Sequence, residues 1–201
     1  MIAGVRSILL GVFTLFMLSA CSSSSPVRYF SLSPIDADFR QDPDDAVMLG
    51  LGPIRMPDYL NRSQIVWRSA NAEMRISEFS RWTEPLAKSL LRIVSTDVDN
   101  LLQGVVVVMF PYEPFVRDQV EYRLVGDINR FEADDSGQVV LEVQWGIAGV
   151  DGSVVVPVRR NRYQTQASIA DDPSAVVVAM NNALAQFSRD IASKLEATLK
   201  K

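Results

Sequence analysis

The chain has 201 residues, of which 48% are hydrophobic and 22% charged, as in a globular domain rather than a disordered segment. Its formal net charge of −4 argues against nucleic-acid binding, which needs a basic surface. It contains no histidine and one cysteine, which excludes Ser-His-Asp and Cys-His catalysis, zinc sites built from these residues and an intramolecular disulfide. We expect no enzyme, no cofactor and no metal, although a carboxylate pair such as Glu78 and Glu84 stays open.

The N-terminal segment is typical of a secretory signal peptide over residues 1–20. Arg6 supplies the positive charge, and residues 8–18 (ILLGVFTLFML) form an uncharged apolar run that is too short for a membrane span of about 20 residues. Leu18-Ser19-Ala20-Cys21 resembles the bacterial lipoprotein box. This resemblance implies cleavage before Cys21 and acylation of its sulfur. The alternative is an ordinary secretory peptide with a chance cysteine.

Residues 21–28 combine the lipidated cysteine with a polar tether. The seven residues Ser22–Arg28 reach at most about 25 Å when extended, so the domain is expected to stay near the bilayer. Three acyl chains hold a protein on a membrane far more durably than one. The residue after the cysteine is Ser22 and not Asp, and the analogy with lipoprotein sorting in Gram-negative bacteria predicts the periplasmic face of the outer membrane.

The first half of the remaining segment, 29–201, predicts a strand–helix–strand crossover. The apolar run Val47–Leu51 is typical of a buried strand. Apolar residues at helical spacing predict a helix over 84–102 that includes Trp82 in its stripe, with Thr83 as N-cap. The β-branched run Val105–Met109 indicates a second strand buried on both faces, so a right-handed βαβ unit is expected. Further strand candidates are Tyr29–Leu32 and Gln64–Arg68.

The second half predicts an antiparallel meander and a terminal helix. Strands are expected from Tyr122 to about Ala133, over Val139–Ile147 with clear period-2 alternation, and over Val154–Gln166. Asp172 is the predicted N-cap of the last helix, and Pro173 its first residue. The sequence therefore predicts an α/β class with one domain and a mixed β-sheet.

Several segments together resemble the ABC-type transport auxiliary lipoproteins of the paraquat-inducible protein C type. Gly52–Arg62 (GPIRMPDYLNR) resembles the GPV-x-LP-x-YLDR stretch of that family, and Arg81–Ala87 (RWTEPLA) resembles its RWAEPLA helix start. The later segments Tyr122–Phe131 and Leu141–Ile147 match its strands in order. The chain departs from the family pattern at Asn61, Ser63 and Thr83, where Asp, Pro and Ala are expected.

The resemblance implies a fold, a function and partners. The fold is a single three-layer α/β domain with a mixed sheet. Family members are non-enzymatic components of envelope lipid-transport systems, where they accompany a periplasm-spanning MCE-domain (mammalian cell entry) protein and an inner-membrane component. The expected role is the outer-membrane end of such a bridge, anchored through Cys21, with self-association plausible because such bridges are oligomeric.

Four residues are the candidates for partner binding: Tyr59, Arg62, Arg81 and Trp82. Tyr, Trp and Arg are the residue types enriched at interface hot spots, and the loop that carries Tyr59 is bounded by prolines. The alternative is that Tyr59 and Trp82 pack the helix start onto the sheet while Arg81 pairs with a nearby acid, since large aromatic residues are usually mostly buried.

Two other functions stay open at this stage. The chain could be a lipoprotein activator or scaffold for cell-wall synthesis or secretion, where small α/β domains also serve. It could instead be a lipid shuttle that holds an acyl chain in a pocket of its own. Co-purified phospholipid would distinguish the shuttle, and the identity of the protein partner would distinguish the scaffold.

Overall fold

A mixed eight-stranded β-sheet forms the centre of the computed structural model, which describes residues 25–38, 43 and 45–200. The predicted signal peptide and Cys21 lie outside the described residues. The strands are β1 (Arg28–Phe30), β2 (Val47–Arg55), β3 (Gln64–Arg68), β4 (Met74–Trp82), β5 (Val105–Met109), β6 (Tyr122–Asp134), β7 (Gln138–Gly149) and β8 (Val154–Gln166); the helices are α1 (Leu86–Leu101), α2 (Pro114–Arg117) and α3 (Pro173–Leu199), with a 3₁₀ turn at Asp58–Leu60.

Strand β6 organises the sheet because both of its edges are paired. Strand β7 runs antiparallel along one edge, and the other edge takes β2 along its first half and β3 at its end, both parallel. Beyond β2 lies β5, and beyond β3 lie β4 and then β1. The predicted crossover from β2 through α1 to β5 and the antiparallel meander β6–β7–β8 are both present, so the predicted α/β class with one mixed sheet is confirmed.

The start of α1 differs from the prediction. Thr83 was expected as N-cap, but its N–H donates to the Phe30 carbonyl at 2.9 Å, and the helix begins after Pro85 without a side-chain cap. Trp82, expected in the helical stripe, is instead the last residue of β4. The physical reason is that pairing with β1 continues the strand to this point. Helix α3 begins as predicted, with Asp172 accepting from two backbone N–H groups and Pro173 following.

Helices α1 and α3 pack side by side on the sheet. The buried Ser188 hydroxyl of α3 donates to Asp97 of α1 at 2.8 Å, and α1 contacts β2 and β5 while α3 contacts β7 and β8. The segment 110–120 covers part of the sheet around Gly50, where a Cβ atom would clash with the Tyr112 hydroxyl and lie 3.1 Å from Val120. The cover over this part of the sheet therefore comes from Tyr112 and Val120, on either side of the short helix α2.

An N-terminal strap, Ser31–Ile35, ties the start of the described chain to the helices. The Ser33 N–H donates to Asn181 of α3 at 3.1 Å, and the Ile35 N–H donates to Asp97 of α1 at 2.7 Å. Leu32, directly before the first of these contacts, is buried in the core. Within the described ranges, no helix has the length and apolar character needed to cross a membrane.

Candidate partner-binding site

A groove at the end of β4 contains two of the four predicted partner-binding residues, Arg62 and Trp82. Its volume is about 280 Å³. We call it the Pro85 groove, and its lining residues are Asn61, Arg62, Ser63, Trp82, Thr83, Glu84 and Pro85.

Local backbone bonds build the groove from two chain segments. The 3₁₀ turn ends where the Asn61 N–H donates to the Asp58 carbonyl at 3.0 Å. The chain then meets the end of β4, where the Trp82 N–H donates to the Ser63 carbonyl at 2.6 Å. Arg62 therefore sits on one wall, and Pro85, which precedes α1, lies on the other. The wall with Arg62 is held to the sheet by the bond between Ser63 and Trp82, and the wall with Pro85 continues directly into α1.

Trp82 forms the floor of the groove and belongs to the core. It is only 6% exposed and packs within the hydrophobic cluster that includes Leu60 and Leu86. Trp82 therefore joins the helix start to the sheet, as the packing alternative proposes. Because it is so little exposed, Trp82 offers only a small contact area to a ligand in the groove.

The two candidate arginines have no acidic partner among the described residues. The Nε atoms of Arg62 and Arg81 are buried without a hydrogen-bond partner, and no ion pair includes either side chain. The expected alternative, in which Arg81 pairs with a nearby acid, is therefore not found there. The acid in the groove, Glu84, is bound by Arg92 with an Nη2–Oε1 distance of 2.5 Å.

The Glu84–Arg92 pair matters for the charge of the groove. Hydrogen bonding to the Arg92 guanidinium lowers the pKa of Glu84 below its usual range, so this carboxylate is ionised and already neutralised. Arg62 consequently adds an uncompensated positive charge to the groove. Such a charge favours an acidic group on whatever binds there.

Tyr59 points to a different cluster. Its hydroxyl donates to Glu132 Oε2 at 2.7 Å, and the Glu132 side chain, which is fully buried, also accepts from Arg68 at 2.7 Å and Arg130 at 3.0 Å. Burial, followed by the hydrogen bond to Glu132, raises the pKa of Tyr59 above its ordinary value. Tyr59 therefore holds the 3₁₀ turn on β6 and does not line the Pro85 groove.

Sequence reasoning did not identify Glu132 as the centre of this cluster. A signal was present, because Glu132 lies directly between two apolar residues, Phe131 and Ala133. Buried carboxylates are nearly always paired. The pattern could therefore have predicted arginine partners, although not which ones.

In the described part of the chain, no group of three or more His, Cys, Asp or Glu side chains is placed to hold a metal ion. The sequence leaves open a catalytic carboxylate pair such as Glu78 and Glu84. In the structure, the Glu84 carboxylate already accepts hydrogen bonds from Arg92.

Residues 30–192 match the family described as ABC-type transport auxiliary lipoprotein component. The chain belongs to this family. The match covers about four-fifths of the sequence and includes both walls of the Pro85 groove. Membership makes the chain an auxiliary lipoprotein of ABC-type transport, a membrane-anchored class, and agrees with a non-catalytic role.

Solved structures with the same fold support the architecture. A crystal structure of an uncharacterised protein has a TM-score of 0.70 at 20% identity, covering 85% of this chain and 99% of its own. A Xanthomonas campestris protein has a TM-score of 0.67 at 17% identity, covering 87% of this chain and all of its own. At these identities the likeness concerns the fold alone. Among curated proteins, no match is found.

Proposed function

We propose that this auxiliary lipoprotein is anchored in the outer membrane through Cys21 and binds an MCE-domain periplasmic protein of an intermembrane lipid-transport system. It acts by recognition and anchoring, without catalysis, together with an inner-membrane transport component. The observation that carries the proposal is the Pro85 groove, where Arg62 is uncompensated beside a tryptophan floor, in a member of a transport-auxiliary family.

The groove has the composition of a protein-contact site. Arg62 offers a guanidinium for a carboxylate of the partner, and the margin of Trp82 with Pro85 offers apolar contact. Tyr59 contributes by holding the turn that leads into Arg62 through its bond to Glu132. Arg81, in register with Gln64 on the neighbouring strand, does not line the groove, and no contact with the protein partner is assigned to it.

The direct experiment is a crosslinking pull-down from the native envelope with a tag placed after Lys201. Wild type is expected to recover an MCE-domain protein. Arg62→Glu should reduce that recovery at least about tenfold, because a charge reversal places like charges together at the contact. The matched control is Arg160→Glu, an exposed arginine on β8. Arg81→Glu, which lies outside the groove, is expected to recover the partner as this control does.

The result separates the function from the site. Equal recovery by Arg62→Glu and Arg160→Glu would move the contact away from the groove while leaving the MCE partnership intact. Recovery of cell-wall synthases or secretion components in place of an MCE-domain protein would contradict the proposed function. Sedimentation of the purified lipoprotein in detergent tests the accompanying proposal of self-association.

The anchor has its own test. Cys21→Ala is expected to leave an uncleaved or mislocalised precursor, because acylation of the sulfur and the following cleavage need the thiol. Membrane fractionation of this variant against wild type provides the measurement. Normal recovery in the outer membrane would contradict anchoring through Cys21.

The gap in the core between the helices and the sheet is too small to hold a water molecule, whereas an acyl chain needs an open apolar cavity. A larger groove of about 480 Å³ beside Leu102 and Leu199 also has Glu196 and Lys200 in its lining, so we favour recognition over lipid carriage. Extraction of the purified protein should therefore yield no bound phospholipid beyond its own anchor. The residues around this gap are Leu60, Gln64, Ile65, Val66, Trp82, Leu86, Phe131 and Met180.

A further inference from the structure

The edge of the sheet next to the predicted tether carries exposed apolar and aromatic side chains. Val27 is 39% exposed, Tyr29 63% and Phe79 38%. Tyr29 is in register with Arg81 on the adjacent strand β4. We call this set of four residues the β1-edge patch.

The position of the patch along the chain limits its distance from a membrane. Val27 follows Cys21 by six residues, and six extended residues span at most about 22 Å. Strand β1 is fixed to β4, so the tether leaves the fold at this edge. With the anchor in a bilayer, the β1-edge patch is therefore held within a short distance of the lipid surface, and tethering raises its effective concentration there.

The charges around the patch leave one arginine available. Arg28 is bound to Ser174 at 2.6 Å and lies 3.6 Å from Asp172. Arg75 binds Asp171 at 2.8 Å. Arg81 has no such partner among the described residues, although Glu78 on the same strand is exposed. The charges left are therefore the half-buried Arg81 and the exposed Glu78, which offset one another. Such a surface suits phospholipid headgroups better than a strongly charged one.

The side-chain types fit the interfacial region of a bilayer. Tyrosine places an apolar ring and a polar hydroxyl across a boundary between hydrocarbon and water. Arginine can keep its guanidinium at the phosphate level while its stem lies among apolar groups. Valine and phenylalanine provide the apolar contact that such attachment needs.

We propose that the β1-edge patch lies on the phospholipid bilayer, with Tyr29, Val27 and Phe79 at the headgroup boundary and Arg81 at a lipid phosphate. This inference rests on the proposed acylation of Cys21. It adds an orientation to the anchor: the domain is held with its β1 edge on the membrane and does not tumble freely at the end of its tether.

The absence of other cysteines allows a direct test with the full lipoprotein. Phe79→Cys and Val27→Cys each introduce one thiol, which is labelled with an environment-sensitive fluorophore after purification. The protein is reconstituted into vesicles of phosphatidylethanolamine and phosphatidylglycerol that contain spin-labelled lipid as a quencher. Phe115→Cys is the matched control, since Phe115 is 72% exposed but belongs to the segment after β5, at the other end of the strand path.

The expected result is several-fold stronger lipid quenching at positions 79 and 27 than at position 115. Addition of Arg81→Glu should weaken the quenching at position 79. Equal or weaker quenching at 79 and 27 relative to 115 would overturn the inference. Labelling of the wild-type protein with the same fluorophore tests the anchor. An acylated Cys21 has no free thiol and takes up no label. A labelled Cys21 would contradict the proposed anchoring and would overturn the orientation as well.

Discussion

Asp97 of α1 and Ser188 of α3 join the two long helices by a hydrogen bond of 2.8 Å between hydroxyl and carboxylate. The other carboxylate oxygen accepts from the Ile35 N–H of the N-terminal strap at 2.7 Å. Asp97 is fully buried, so a single side chain connects two helices and the strap. Burial raises the pKa of Asp97, and the bonds from Ile35 and Ser188, followed by the nearby Arg189 charge, partly oppose that rise.

The raised pKa of Asp97 predicts a pH dependence of stability. An unfolded Asp has a pKa near about 3.9, and the folded pKa is higher, so the folded state binds more protons between the two values. The stability contribution is complete below the unfolded pKa and is lost as pH rises through the folded pKa. Asp97→Asn removes this dependence. Its free energy of unfolding relative to wild type should therefore increase with pH across that window.

Urea unfolding at a series of pH values measures this difference. Asp118→Asn, at an exposed position after α2, serves as control and should track wild type. A constant difference between Asp97→Asn and wild type over the window would show that Asp97 keeps an ordinary pKa in the folded protein.

The Glu132 cluster predicts a large loss of stability on neutralisation. Glu132→Gln removes the negative charge between Arg68 and Arg130, and we expect a cost of about 2–4 kcal/mol because both arginines lose a buried counter-charge. Tyr59→Phe removes one hydrogen bond and should cost about 1–2 kcal/mol. Chemical denaturation gives both values. Equal costs for the two variants would argue against the carboxylate as the centre of the cluster.

Two adjacent aspartates at the start of α3 should differ in their contribution to stability. Asp172 accepts from the Ser174 and Ala175 N–H groups, each at 3.3 Å, so Asp172→Ala is expected to cost about 1 kcal/mol through loss of the N-cap. Asp171 makes a surface ion pair with Arg75, and Asp171→Ala should cost no more than about 0.5 kcal/mol. Thermal unfolding of both variants is the comparison, and a reversed order would refute the capping role.

Gly50 is expected to tolerate no side chain while Tyr112 covers it. A Cβ at Gly50 would clash with the Tyr112 hydroxyl, so Gly50→Ala should cost about 1–3 kcal/mol. In a Tyr112→Leu background the same substitution should cost less, because the clashing atoms are gone. A double-mutant cycle measures this coupling. Strict additivity would mean that the 110–120 segment moves aside freely.

Most elements of the fold could be predicted from local pattern. Strands β3, β5 and β8 have the predicted bounds, and the crossover and meander follow from apolar runs and turn chemistry. The sequence pattern does not predict strand β4, whose register against β3 shifts between Gln64 and Val66. Along β4, buried and exposed side chains therefore do not alternate as they do in a regular strand. Without β4, Trp82 was assigned to the helix stripe.

The candidate site could be predicted only in part. Residue type drew attention to Tyr59, Arg62, Arg81 and Trp82, but it could not tell which side chains share a surface. Trp82 ends a strand, and Tyr59 reaches a carboxylate 73 positions away in sequence. These placements depend on how β3, β4 and β6 pair, which no local pattern encodes. Arg62 and Trp82 share the groove, and the other two lie beside it.

The strap also has a mechanical consequence. Any pull between a lipid anchor and the domain enters the fold through β1, a strand of only three residues. A strand that short would peel from the sheet easily if it carried the load alone. Because the strap continues from β1 to Asn181 and Asp97, tension passes into both long helices, and the hydrophobic core shares the force that the anchor transmits.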